Sequence, residues 1–195
     1  MLLRSNRSSQ YRVKENITIG GAMQKVLVVI DMQNDFIDGS LGTKEAVGIV
    51  EAVKTKILGY DKKDRFATMD THKENYLNTQ EGKNLPVSHC IENTVGWELN
   101  EKIAPLIDPK NIFKKPTFGS VDLANKIAEI AKKEEIEIEL VGLCTDICVV
   151  SNALLLKAFL PEARISVDAA CCAGVTAEKH NAALETLRSC QINVE

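Results

Sequence analysis

Cys148 stands in the run Leu143-Cys144-Thr145-Asp146-Ile147-Cys148, where one apolar stretch breaks and a second begins. Ile136 to Leu143 reads as a buried strand, interrupted only by Glu137 and Glu139, and Ile147 to Ala158 reads as a well-buried helix. Thr145-Asp146 has the form of a helix N-cap followed by a first-turn acid, which puts Cys148 in the first helical turn. Free backbone N–H groups and the positive end of the helix dipole favour a thiolate at that position. A cysteine so placed is a candidate nucleophile, although most free cysteines are small buried hydrophobes.

Other reactive groups fall where apolar runs end. Lys25 to Ile30 has the Val- and Ile-rich character of a strand covered on both faces, and Asp31 follows it directly. A short strand over residues 111–114 leads to Lys115, with Lys114 as the alternative cation. Arg65 to Met69 reads as a strand that ends at Asp70-Thr71-His72. A segment of little periodicity, residues 73–95, then carries Glu81 and His89; a loop of that length in a compact domain is usually functional. Asp70 and His72 share one side of an extended segment, and with His89 they offer a carboxylate and two imidazoles, suited to zinc, iron or manganese. The alternative is that both imidazoles only hydrogen-bond within the loop. The third of the three histidines, His180, lies on a late helix without an obvious partner and reads as structural, so Cys-His catalysis is poorly supported. Asp31 is the proton acceptor left, its pKa raised by burial and the neighbouring lysine placing charge.

The elements that must hold these groups alternate. Helical spacing recurs at Ala46, Val47, Val50, Val53, Ile57 and Leu58, stopped at Gly59, and again at Leu123, Ile127, Ile130 and Ala131. A short helix over 96–106 contains Trp97. A strand from Arg164 to Val167 ends at Asp168, a helix runs from Thr176 to Cys190, and residues 191–194 form a last short strand. This pattern predicts an α/β, doubly wound, mostly parallel sheet of about six strands with helices on both faces. In such a sheet the carboxyl ends of the strands share one edge, so Asp31, Lys115 and Cys148 can converge. No G-x-G-x-x-G follows the first strand, which argues against dinucleotide binding.

The 195 residues, 45% hydrophobic and 26% charged, allow one domain with a full core. A net charge of −3 without a basic run in the body disfavours nucleic acid, and no apolar stretch is long enough for a membrane helix. The six cysteines have neither disulfide-scaffold nor zinc-ribbon spacing, which fits reduced thiols in a cytoplasmic enzyme. Residues 1–24 are Arg- and Ser-rich and are expected to be an extension outside the domain at 25–195, disordered or not native.

Four motifs in order resemble the isochorismatase-like cysteine hydrolases: Asp31-Met32-Gln33-Asn34-Asp35-Phe36 with Gly39-Ser40-Leu41-Gly42, Lys115-Pro116-Thr117-Phe118, and Gly142-Leu143-Cys144-Thr145-Asp146-Ile147-Cys148-Val149, joined by Asp70-x-His72 with Leu85-Pro86-Val87-Ser88-His89-Cys90. The last set is similar to the metal-containing, nicotinamidase branch. The resemblance implies a catalytic triad of Asp31, Lys115 and Cys148, and a cis peptide at Leu143–Cys144 that aims the Cys144 and Cys148 N–H groups at an oxyanion. It implies one divalent ion on Asp70, His72 and His89, with Glu81 as a fourth ligand, zinc before manganese or iron. Phe36 and Phe118 would sandwich the substrate ring. The implied substrate is nicotinamide or a related small amide, hydrolysed through a thioester; members range from monomers to larger assemblies, so a homo-oligomer is compatible. The rivals are a hydrolase of the same fold acting on isochorismate or a carbamoyl compound, a non-catalytic metal-binding or interaction protein, and a redox sensor using Cys144 and Cys148.

Overall fold

The computed structural model describes residues 23–195, so most of the expected extension at 1–24 lies outside the described residues. Gln24 lies inside them and opens the first strand, where its side chain donates to Asp64. In chain order the elements are β1 (Gln24–Ile30), α1 (Asn34–Ile37), α2 (Lys44–Leu58), β2 (Arg65–Asp70), α3 (Gln80–Asn84), β3 (Ile112–Lys115), α4 (Val121–Ala131) and β4 (Ile136–Leu143). They continue as α5 (Val150–Phe159), β5 (Arg164–Ala173), α6 (Ala177–Ser189) and β6 (Asn193–Val194). The six strands form one sheet in the order β3-β2-β1-β4-β5-β6, and every pairing is parallel.

Alternation of side chains along β1 builds two cores. Val26, Val28 and Ile30 face Leu123 and Ile127 of α4, Ala153 and Leu156 of α5, and Leu184 and Leu187 of α6. Leu27 and Val29 face the other way, onto Val50, Val53 and Ile57 of α2 and onto Ile103 and Ile107. Thr43, Ser120 and Thr176 each accept a backbone N–H in the first turn of α2, α4 and α6. Among the described residues no helix is long and apolar enough to cross a membrane.

Four local expectations are corrected. The helix expected over 96–106 is replaced by turns and a single 3-10 turn at Ala104–Leu106. Backbone bonds from Asn34 N–H to Glu98 O, Asp35 N–H to Gly96 O and Asn100 N–H to Met32 O hold that segment along residues 32–35 instead. The aperiodic segment 73–95 contains α3 and a 3-10 turn at Tyr76–Asn78. β5 runs past Asp168 to Ala173, with an irregularity opposite Leu140 and Gly142, and Asp168 pairs with Lys56 at 2.7 Å rather than ending the strand. Thr145 does not cap a helix: Thr145–Val149 is a wide π-type turn, its cap position is Cys144, and neither side chain bonds the free N–H groups.

The close approach of β4 to β1 depends on Gly142, whose φ is +119° and where a Cβ would lie 2.1 Å from the Ile30 carbonyl oxygen. Gly142→Ala is expected to lower the unfolding free energy by at least about 2 kcal/mol in urea titrations. An unchanged midpoint would mean that β1 and β4 separate without cost.

Candidate active site and metal centre

The sheet order reverses between β1 and β4, and at such a switch point the carboxyl ends of the strands open a crevice. Asp31 follows β1 there in a left-handed conformation, φ 46°, which a short polar side chain tolerates. Asp70 ends β2, Lys115 ends β3, and the Leu143–Cys144 peptide after β4 is cis and leads into the turn that bears Cys148. Four strand ends therefore deliver four reactive side chains to one place.

Lys115 is 0% exposed, and its ammonium is the hub of the crevice. Nζ lies 2.7 Å from Asp31 Oδ2, 3.2 Å from Asp70 Oδ1 and 3.3 Å from Cys148 Sγ. Burial alone would lower the lysine pKa, but Asp31, the thiol and Asp70 reverse the sign and hold it well above its usual value. Lys114, the alternative cation, points outward to Glu92 and over the Trp97 ring. Thr68 Oγ1 donates to Asp31 Oδ1 at 2.6 Å. Asp31 Oδ2 touches Lys115 as an ion pair but lacks hydrogen-bond geometry to any donor among the described residues, so it retains capacity for a proton. Burial raises the Asp31 pKa, opposed by Lys115.

Cys148 is buried, and burial with the adjacent Asp31 carboxylate pushes its thiol well above the ordinary range, Lys115 opposing. The expectation of a thiolate stabilised by a helix dipole is thus corrected. Loss of hydration outweighs the partial charge of a turn that is not yet an α-helix, so the thiol needs a base at the moment of reaction. Asp31, which shares the Lys115 ammonium with that thiol, is placed to be that base.

Asp70 also faces the second cluster. Its Oδ2 is 2.9 Å from His72 Nε2 and 3.5 Å from His89 Nε2, and Glu81 Oε1 is 3.6 and 3.8 Å from the same two nitrogens. One ligand atom from each of the four residues lies within 4.8 Å of the others. Ligand atoms about 2.0–2.1 Å from a tetrahedral zinc are about 3.3 Å apart, so this donor set fits a divalent ion. His89 Nδ1 bonds the Val87 carbonyl at 2.8 Å, which orients the ring and leaves Nε2 for a metal. The Tyr76 ring, wholly buried, packs on both imidazoles, and Phe36 packs on His89 with centroids 5.5 Å apart. Phe118 is 43% exposed, and its carbonyl accepts from Asn152.

Several supporting residues are absent from the sequence reading. Gln33, fully buried, donates to Asp70 O and Trp97 O and accepts the Asp70 N–H, which fixes the end of β2. Asp35 accepts the N–H of Cys90 at 2.7 Å and so anchors the loop bearing His89; a Cβ on Gly96 would lie 2.3 Å from its carboxylate. Asn152 joins the Cys148 carbonyl to the Phe118 carbonyl and the Ser120 N–H. Gln33 and Asp35 lie inside the quoted Asp31–Phe36 motif, but their partners are remote in sequence. Thr68, in mid-strand, carries no local signal.

Parallel strands bring a buried carboxylate, lysine and cysteine to a single edge of an α/β sheet, and comparison with known proteins narrows the class. The isochorismatase domain model matches residues 25–195, and the chain belongs to that family. It is 32% identical over 148 residues to an uncharacterized isochorismatase family protein, PncA, of Bacillus subtilis, covering 68% of this chain and 78% of that one. It is 26% identical to a nicotinamidase of Schizosaccharomyces pombe, covering 86% and 91% of the two chains. The crystal structure of a pyrazinamidase of Pyrococcus horikoshii in complex with zinc superposes with a TM-score of 0.69 at 25% identity, covering 88% of this chain and 98% of that one. The protein is accordingly a nicotinamidase-like, amide-hydrolysing enzyme, and its donor cluster together with the zinc-bound relative supports a divalent metal.

Two outcomes follow from this geometry. Lys115→Met leaves Asp31 and Asp70 buried without their counter-charge and should cost about 3–5 kcal/mol of unfolding free energy, far more than Cys148→Ala. Calorimetric titration of chelator-treated protein with Zn²⁺ should give one ion per chain, with affinity reduced at least about a hundredfold in His72→Ala or His89→Ala and less in Glu81→Ala.

Proposed function

We propose that the enzyme hydrolyses nicotinamide to nicotinate and ammonia through a thioester on Cys148. The observation that carries this reading is the single ammonium of Lys115 in contact with Asp31, Asp70 and Cys148 at once, beside a two-histidine donor set. Asp31 takes the thiol proton, and the thiolate attacks the carboxamide carbon. Lys115 keeps charge on both partners as the proton moves. The backbone N–H groups of Cys144 and Cys148 receive the oxyanion. Asp31 then returns the proton to the departing nitrogen, which leaves as ammonia. Water attacks the thioester, Asp31 takes its proton, and collapse of the second tetrahedral species releases nicotinate and restores the thiol.

Asp70, His72, His89 and Glu81 would hold the metal, zinc in this reading, and a bound divalent ion supplies a Lewis-acid anchor for a heteroaromatic ring nitrogen. Phe36 and Phe118 would flank that ring. The charge balance favours a neutral amide over isochorismate. Lys115 is the only buried lysine or arginine among the described residues, and two carboxylates already occupy it, so a dianion would depend on the metal, whose charge Asp70 and Glu81 would already offset. A reducing, cytoplasmic setting is the one that keeps a thiol nucleophile active, and NAD salvage is the corresponding use of the product.

Ammonia release from nicotinamide by zinc-loaded enzyme tests the proposal. Cys148→Ala and Asp31→Asn should each reduce turnover by more than about a thousandfold, and acid quench of wild type should trap a nicotinoyl adduct on Cys148. Wild-type enzyme that binds zinc but releases no ammonia from nicotinamide would overturn the substrate assignment and turn the search to other small amides.

A further inference from the structure

The turn that carries Cys148 is held locally by Ile147 and Val149 N–H bonds to the Cys144 carbonyl and by Asn152 on the Cys148 carbonyl, but its first residues have no side-chain cap. Thr145–Val149 is a wide π-type turn without a side-chain cap, directly after the cis peptide. Further bracing arrives from the start of α6, about thirty residues on. Thr145 is completely buried, and its hydroxyl shares a 2.8 Å hydrogen bond with His180 Nδ1. Asp146 Oδ1 accepts the Val175 N–H at 2.9 Å. Gly174 lets the two segments meet, because a Cβ there would lie 2.9 Å from Asp146 Oδ1 and 2.9 Å from both Cβ and N of His180. Thr176 caps α6 through the Lys179 N–H, and Ala183, Leu184 and Leu187 fasten the helix to the core, so His180 projects from a fixed element. The imidazole has Asp146 as its charged neighbour; burial outweighs that carboxylate and keeps the pKa below its usual value.

We infer that His180 is a positioning residue for the amide hydrolysis: through Thr145 it holds the nucleophile turn so that the Cys148 thiol stays against Asp31 and Lys115. The imidazole meets the turn through the Thr145 hydroxyl, and its part is to remove freedom from the turn. Misplacement of a nucleophile by a fraction of an ångström costs rate rather than affinity, because the ring-binding residues are on other elements. The inference rests on the thioester reading for its substrate but not for its thiol.

The test uses zinc-loaded full-length enzyme and the variants His180→Ala, His180→Asn, Thr145→Val and the His180→Ala/Thr145→Val double. Each of His180→Ala and Thr145→Val should lower kcat for nicotinamide by about tenfold with KM changed less than about twofold. The double should be no worse than the more impaired single within about twofold, since both remove one bond. His180→Asn, which can restore a hydrogen bond near the Nδ1 position, should recover most of the loss. Alkylation of Cys148 by iodoacetamide, followed on its own peptide by mass spectrometry, should slow in the same order and needs no substrate. If wild type fails to release ammonia, the nicotinamide assignment falls while the alkylation series still decides the role of His180. Equal alkylation and kcat in His180→Ala and wild type, multiplicative effects in the double, or a loss that tracks a lower melting temperature and is not rescued by asparagine would each overturn the inference.

Discussion

The structure depends on one buried ammonium. Lys115 sits with no solvent exposure among two carboxylates and a thiol, and it supplies both carboxylates with a counter-charge in the interior. Without it, Asp31 and Asp70 would face each other as like charges in a low-dielectric crevice. With it, the two carboxylates are tuned apart: burial raises the Asp31 pKa, whereas the histidine and lysine contacts overcome burial and depress that of Asp70. Two carboxylates with opposite tuning, separated by one lysine, are the electrostatic basis of the site.

Parallel topology is what makes that cluster buildable. The order β3-β2-β1-β4-β5-β6 sets the ends of β1 and β4 side by side at the reversal point, with the ends of β2 and β3 next in line. The same order is widely used to bind dinucleotides, but here the turn after β1 carries Asp31 and a polar loop in place of a glycine-rich phosphate cradle. Fold and chemistry are separable in this protein: the sheet supplies the crevice, and the residues at the strand ends decide what it does.

The metal-binding loop illustrates a second constraint. Glu81 is set by the short helix α3, but His89 lies on irregular backbone, where nothing periodic sets side-chain direction, so its placement is delegated to Asp35, Tyr76 and the Val87 carbonyl. Beyond that loop, backbone bonds to residues 32–35 take up Gly96 and Glu98 carbonyls and the Asn100 N–H, groups that the helix expected over 96–106 would use internally. The turn that bears Cys148 is likewise braced from a distance, by Val175 and by His180 of α6.

Sequence alone determined the alternation of strands and helices, the parallel sheet, the strand-end positions Asp31 and Asp70, a lysine at 114 or 115, and Cys148 in the turn after a strand, because periodicity and β-branched runs are local properties that a buried strand cannot avoid displaying. It also determined the ordered motifs by which the family resemblance could be read, and the pairing of Asp70 with His72, which the two-residue period of a strand dictates. Only the tertiary structure decided the choice of Lys115 over Lys114, since one residue of register separates the crevice from solvent. Likewise it decided that Thr145 serves His180 instead of capping a helix, that β5 continues past Asp168, and that the Cys148 thiol is held high by burial rather than low by a helix end. Each of these turns on a partner distant in the chain, and on the balance between desolvation and charge in a place that no local pattern describes.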